Sequence, residues 1–159
     1  ISLGLVGSEM CIRDRNKNRE FTTGRVTYLF DGLHLWYALP SGRVLCYPFA
    51  RFDEEGNLTY AKASWKPAAD AKEWPRARLW RGLACENITQ AVANDLLRYA
   101  LRQLDDVVLH IHDEIVLEVP EADAEAAAVR LVQTMCEPPA WATGLPLNAE
   151  VAIMDRYGK

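Results

Sequence analysis

Three residues able to exchange protons or bind metal, His112-Asp113-Glu114, separate two apolar runs, Val107-Val108-Leu109-His110-Ile111 and Ile115-Val116-Leu117-Glu118-Val119. Carboxylates are costly beside a packed sheet unless solvent or a cation receives them. Two adjacent carboxylates at a tight turn suit a hard, oxygen-seeking ion such as Mg²⁺. Asp is equally at home as a simple turn former with Glu as its solvated neighbour, so spacing alone leaves both readings open. His110 and His112 alternate and could share one face of a strand. That spacing also occurs in zinc hydrolases, but zinc needs further ligands and the only other histidine is His34, so a His110 packed in a sheet is the expectation.

The apolar runs read as two strands, with Pro120 ending the second. Upstream, the span 83–104 contains no Pro and is expected to be a helix. Its stripe is Ile88, Val92, Leu96, Tyr99 and Ala100, and its other face carries Glu86, Gln90 and Asn94 at four-residue spacing. β signals begin at Val26. Leu33, Leu35, Tyr37 and Leu39 alternate with His34, Trp36 and Ala38, Pro40-Ser41-Gly42-Arg43 is a turn, and Val44-Leu45-Cys46-Tyr47 runs back as the second arm of a hairpin. The span 51–75 reads as irregular, with a turn at Asp53-Glu54-Glu55-Gly56-Asn57 and breakers at Lys66-Pro67 and Trp74-Pro75. A second helix is expected over 122–136, with Ala126, Val129, Leu131 and Val132 as its apolar content, stopped by Pro138-Pro139. A short strand is expected over 147–153. Hairpin, helix, hairpin, helix, strand makes an antiparallel α+β unit.

The 159 residues suffice for one ordinary compact domain, and a hydrophobic share of 50% makes wholesale disorder implausible. No run approaches the roughly 20 apolar residues of a membrane-spanning helix, so no membrane partner is expected. Cys11, Cys46, Cys85 and Cys136 have no metal-binding spacing and read as small buried hydrophobes in a reducing, cytoplasmic setting. The net charge of −4 argues by itself against a simple nucleic-acid coat, but it is unevenly spread. Residues 61–104 carry eight basic and four acidic side chains, whereas residues 105–159 carry three basic and eleven acidic ones. Residues 1–20, including Gly7-Ser8-Glu9-Met10-Cys11-Ile12-Arg13-Asp14-Arg15, fit no helix or strand period. They resemble translated adaptor read-through, and are expected to be a non-native leader on a protein that began further upstream.

The stretch Val108-Leu109-His110-Ile111-His112-Asp113-Glu114-Ile115-Val116-Leu117 resembles motif C of the family A DNA polymerases, the DNA polymerase I type. A second block in the expected order, Glu86-Asn87-Ile88-Thr89-Gln90-Ala91-Val92-Ala93-Asn94-Asp95-Leu96-Leu97, resembles the palm helix of the phage-type branch. Leu39-Pro40-Ser41-Gly42-Arg43 and the end Asp155-Arg156-Tyr157-Gly158-Lys159 are similar to the same branch, so the resemblance runs from about Thr27 to Lys159.

The resemblance implies that residues 21–159 are the C-terminal part of a palm, an antiparallel sheet with packed helices taken from an incomplete right-hand fold. The implied activity is template-directed nucleotidyl transfer to a primer 3′-hydroxyl with two Mg²⁺ ions in DNA replication, in a bacterial host or phage-infected cell. Asp113 would be a direct metal ligand, Glu114 a weaker or outer-sphere one, and His112 would position the primer end. Gln90 would meet minor-groove acceptors that look alike for every base pair, reading DNA without regard to sequence. Asn87 would be a further DNA contact, and Glu86 takes the asparagine's place in the wider register of the bacterial repair-type enzymes.

Two departures stand out. The branch usually reads tyrosine, glycine, glycine, lysine where this chain has Trp80-Arg81-Gly82-Leu83, and often has Arg where Asn94 stands. Arg76, Arg78 and Arg81, beside Trp74 and Trp80, would compensate as a DNA-backbone surface, or else form a solvated charge run around buried tryptophans.

Neither the metal-binding Asp of motif A nor the Lys and Tyr of the fingers helix, motif B, is found in residues 16–159. Asp31 lacks motif A's polar and acidic followers. The implied partners are primer-template DNA, dNTPs and the missing N-terminal portion of the same polymerase, and the fragment alone is expected to be inactive. The competing class is a non-enzymatic α+β module that binds duplex DNA through its basic helix.

Overall fold

The computed structural model describes residues 20–62 and 74–158. The chain divides into two compact units, Ile1–Gln90 and Ala91–Lys159, with a single helix running across the division. The expected leader lies outside the described residues except for Glu20, which opens the first strand.

In the first unit, β1 (Glu20–Thr23), β2 (Val26–Phe30), β3 (Leu35–Ala38) and β4 (Val44–Tyr47) form an antiparallel meander in that order. The expected β3–β4 hairpin is present, with Leu35 opposite Tyr47 and Ala38 opposite Val44. Its turn is closed by Leu39 N–H donating to Arg43 O at 2.9 Å, and Gly42 supplies the left-handed residue at φ 85°. Alternation sends Leu35, Tyr37 and Leu39 inward; Leu33, just before the strand, stays exposed.

The span 51–75 is more regular than its sequence suggests. β5 (Arg51–Phe52) and β6 (Leu58–Ala61) flank the Asp53–Asn57 turn, and β7 (Arg76–Arg78) completes a sheet in the order β5-β6-β7. All four β6 residues are buried, so the inside-outside alternation that announces a strand is missing. Lys66-Pro67 lies outside the described residues.

Tyrosines join the two sheets. The Tyr47 ring stacks on Tyr37 at 5.1 Å and meets Tyr60 edge-on at 5.0 Å. Burial pushes the Tyr28 phenol up to about 12 and the Tyr47 phenol well above its ordinary value, so both hydroxyls are neutral polar groups in an apolar surround.

Asp31 organises the β2–β3 connection. Its Oδ1 accepts from the backbone N–H of Leu33 at 2.8 Å and of His34 at 2.7 Å, and its Oδ2 accepts from Trp36 Nε1 at 2.7 Å. Partial desolvation pushes the Asp31 carboxyl up, but the donated hydrogen bonds and neighbouring His34 outweigh it and hold the group below its ordinary value. A depressed carboxyl contributes stability that is complete above the unfolded value of 3.8 and is lost as pH falls through the lower folded value. Asp31→Ala is therefore expected to cost about 1–2 kcal/mol near neutrality. It should also remove part of the decline expected in the urea midpoints of the unsubstituted chain as pH falls below 3.8. Equal midpoints for the two proteins at neutral pH would contradict this role.

The helix α1 (Arg81–Leu101) starts two residues earlier and ends three sooner than the span 83–104. Its fully buried positions are Ala84, Asp95, Leu97 and Ala100, while Ile88, Val92, Leu96 and Tyr99 of the expected stripe are only half-buried. In the second unit, Leu97, Ala100 and Leu104 at i, i+3 and i+7 pack with Ile115, and Leu101, Val107, Leu117, Leu131 and Met135 close around them. Here β8 (Val107–Ile111) and β9 (Glu114–Leu117) form a two-stranded hairpin with an irregularity between Val107 and Leu109.

A 3₁₀ turn (Glu121–Asp123) leads into α2 (Ala124–Cys136). Its buried residues are Ala127 and Ala128; of the expected apolar content Leu131 packs on the core and Val132 is half-buried, whereas Ala126 and Val129 are exposed.

The strand expected over 147–153 is not formed: the backbone there is irregular, with Val151, Ile153 and Met154 exposed. Leu147, Ala149, Val151 and Ile153 do alternate, but a strand also needs a partner edge, and none pairs with it among the described residues. The cysteine expectation also fails in part, since Cys46 and Cys136 are half-buried and Cys85 is exposed. Overall the described residues form an α+β arrangement of antiparallel sheets and two α-helices.

Candidate active site

The β8–β9 hairpin places the acidic turn. Ile111 pairs with Glu114, so the connecting turn is His112-Asp113 and Glu114 is already the first residue of β9. Two-residue hairpin turns need a left-handed backbone at their first residue, and His112 provides it at φ 53°. A histidine in that region is strained, and such strain persists only where surrounding structure imposes it. Asp113 is exposed at the tip and Glu114 is half-buried, its backbone fixed by pairing with Ile111 and by buried Ile115.

The Glu114 carboxylate has a partner that spacing could not reveal. Tyr157, 43 residues later, lies 3.0 Å from Glu114 Oε2 and donates its hydroxyl hydrogen there. Nothing local in the Asp155–Lys159 sequence points to residue 114.

His110 is exposed rather than packed in the sheet, because this face of β8 is uncovered among the described residues. No group of three or more His, Cys, Asp or Glu able to hold a metal occurs among the described residues. The donors present still suit Mg²⁺, which takes one or two carboxylates and completes its sphere with water and phosphate oxygens. Asp113 and Glu114 could hold such an ion together with further oxygen ligands.

The helix residues divide between two tasks. Glu86, Gln90 and Asn94 are exposed, and Gln90 Nε2 donates to Glu86 Oε1 at 3.1 Å. Asn87 does not join that row. Its Nδ2 donates to the Tyr47 hydroxyl at 3.0 Å, fastening α1 to the meander.

Among the upstream cations, Arg76 ties strands together. Its Nε and Nη2 donate to Thr59 Oγ1 at 3.1 and 2.8 Å, and Nη2 also donates to Phe49 O at 2.9 Å. Arg78 and Arg81 are exposed; the nearby Asp53 carboxyl is held below its ordinary value chiefly by the Asn57 backbone N–H, with Arg78 adding the smallest share. Trp74 and Trp80 are 58% and 55% exposed, which removes the buried-tryptophan alternative. Trp80 lies over Gly82 so closely that a Cβ there would sit 1.8 Å from the ring, so only glycine admits this arrangement.

Over 138 residues the chain is 35% identical to a protein of Bacillus phage SP02 named DNA polymerase. The match takes in 84% of this chain but only 21% of that relative, so the chain corresponds to a minor part of the relative's length. No family model matches the chain. No solved structure matches it either.

Proposed function

We propose that this chain is the C-terminal part of the palm of a phage-type family A DNA polymerase, and that its parent adds nucleotides to a primer 3′-hydroxyl under template direction. The carrying observation is the strained two-residue turn that presents Asp113 at a hairpin tip with Glu114 fixed beside it. The likeness to the phage SP02 DNA polymerase supports it independently.

Asp113 holds Mg²⁺ directly, and Glu114 acts from the same site more weakly or through water. When bound, two Mg²⁺ ions lower the pKa of the attacking hydroxyl and neutralise charge at the phosphate. His112 orients the primer end by hydrogen bonding. Gln90, with Glu86 as its hydrogen-bonded neighbour, faces the minor groove of primer-template DNA. Asn87 supports that face from the sheet side. Arg78 and Arg81, beside Trp80, meet the phosphate backbone. The dNTP and the remaining metal ligand are handled by the portion of the parent that precedes this chain. Without it the fragment does not catalyse. The uncovered β8 face and the unpaired alternation of residues 147–153 support such a missing neighbour.

The contiguous upstream coding sequence tests this reading. Motif A, with its metal-binding Asp, and motif B, with its Lys and Tyr, are expected in frame. A start codon close upstream with neither motif would overturn the reading in favour of a duplex-DNA-binding module.

A further inference from the structure

We propose that Tyr157 is a positioning residue for Glu114, coupling the last residues of the chain to the turn that carries Asp113. The proposal rests on the metal-site reading of that turn and adds to it a residue from outside both motifs.

The β9 backbone fixes where the Glu114 side chain begins, since Glu114 pairs with Ile111 and precedes buried Ile115. It does not fix where the carboxylate ends, because three side-chain torsions intervene. The Tyr157 hydroxyl at 3.0 Å supplies that restraint. A phenol donating to a carboxylate makes a charge-assisted hydrogen bond and limits the orientations that the carboxylate can take. The residues leading to Tyr157 form no helix or strand from 145 onward, and Val151, Ile153 and Met154 are exposed. Ladder hydrogen bonds therefore do not place the tyrosine, whereas the bond to Glu114 does bind it to the turn. A ligand acting at the edge of a metal's sphere depends on such outer partners for its orientation.

Single-nucleotide incorporation by the full parent polymerase tests the coupling, with Tyr157→Phe, Glu114→Ala, the double variant and Asp113→Asn measured together. Tyr157→Phe is expected to lower kcat about tenfold, with the KM for dNTP within about twofold of the parent. Added to Glu114→Ala, it is expected to cause no further loss, because its effect passes through that carboxylate. An unchanged kcat, or losses that multiply in the double variant, would overturn the proposal.

A second measurement needs neither metal nor activity. In the 159-residue chain, Tyr157→Phe is expected to shift the Glu114 side-chain carboxyl ¹³C resonance, and an unmoved resonance overturns the tether. Should Asp113→Asn retain incorporation, the metal-site reading fails. The resonance then still decides whether Tyr157 holds Glu114.

Discussion

Asp113→Asn in the parent polymerase is expected to lower nucleotide incorporation on the order of 10³-fold, or about 4 kcal/mol of transition-state stabilisation, while leaving primer-template affinity nearly unchanged. Asparagine matches aspartate in size and is at home in turns, and Asp113 is exposed at the tip of a hairpin whose register is set by Ile111 and Glu114. Folding should therefore survive. The change replaces one carboxylate oxygen by a hydrogen-bond donor and removes the negative charge that would attract the metal. The residues assigned to DNA, Gln90 and Arg81 among them, are untouched, so binding should persist. Rapid single-turnover incorporation beside a primer-template titration separates the two effects. Full-rate incorporation would remove the metal role from Asp113, and loss of binding without loss of rate would reassign the turn to DNA contact.

The second large effect concerns stability. Leu35 is 0% exposed, the only large side chain so fully enclosed among the described residues, and it sits between Phe30 on β2 and Tyr47 on β4. Leu35→Ala is expected to destabilise the first unit by about 3 kcal/mol, from lost transfer free energy and an incompletely filled cavity. Tyr47 stacks on Tyr37 and accepts the Asn87 hydrogen bond, so loosening at Leu35 should reach the N-terminal turns of α1. Native-state hydrogen exchange reads both, through the amides of β2–β4 and of residues 84–90. A loss under about 1 kcal/mol would mean that the site collapses around the smaller side chain.

What the sequence discloses of this molecule follows from how local each signal is. The β3–β4 hairpin was legible because alternation, a Pro-Ser-Gly turn and a returning apolar run coincide within fifteen residues. The acidic turn was legible because two apolar runs bracket it, though Glu114 belongs to the strand and not to the turn as the spacing suggested. β6 was hidden because it is buried on both faces. The 147–153 segment misled because alternation records an intended environment, while strand formation needs a partner. On α1, the expected stripe included Ala100 but missed Leu97, because Ile88, Val92, Leu96 and Tyr99 beside it are only half-buried, and no helical period could have shown that Asp95 is buried.

Of the candidate site, Gln90 and Glu86 share the exposed face their spacing implied, whereas Asn87 is fastened to Tyr47 across forty residues. Tyr157 lay still further out of reach, because a hydrogen bond between residues 114 and 157 leaves no trace in any window of sequence.

The account turns on a divalent cation seated at the His112–Glu114 turn, and iron-directed cleavage locates that ion most directly. Fe²⁺ replaces Mg²⁺ in the parent polymerase bound to primer-template DNA, and ascorbate and peroxide then generate radicals that cut the backbone near the metal. The expected result is a cut at residues 112–114, suppressed by excess Mg²⁺ and absent from Asp113→Asn. Cleavage that spares this turn, or that persists there in Asp113→Asn, would contradict the account.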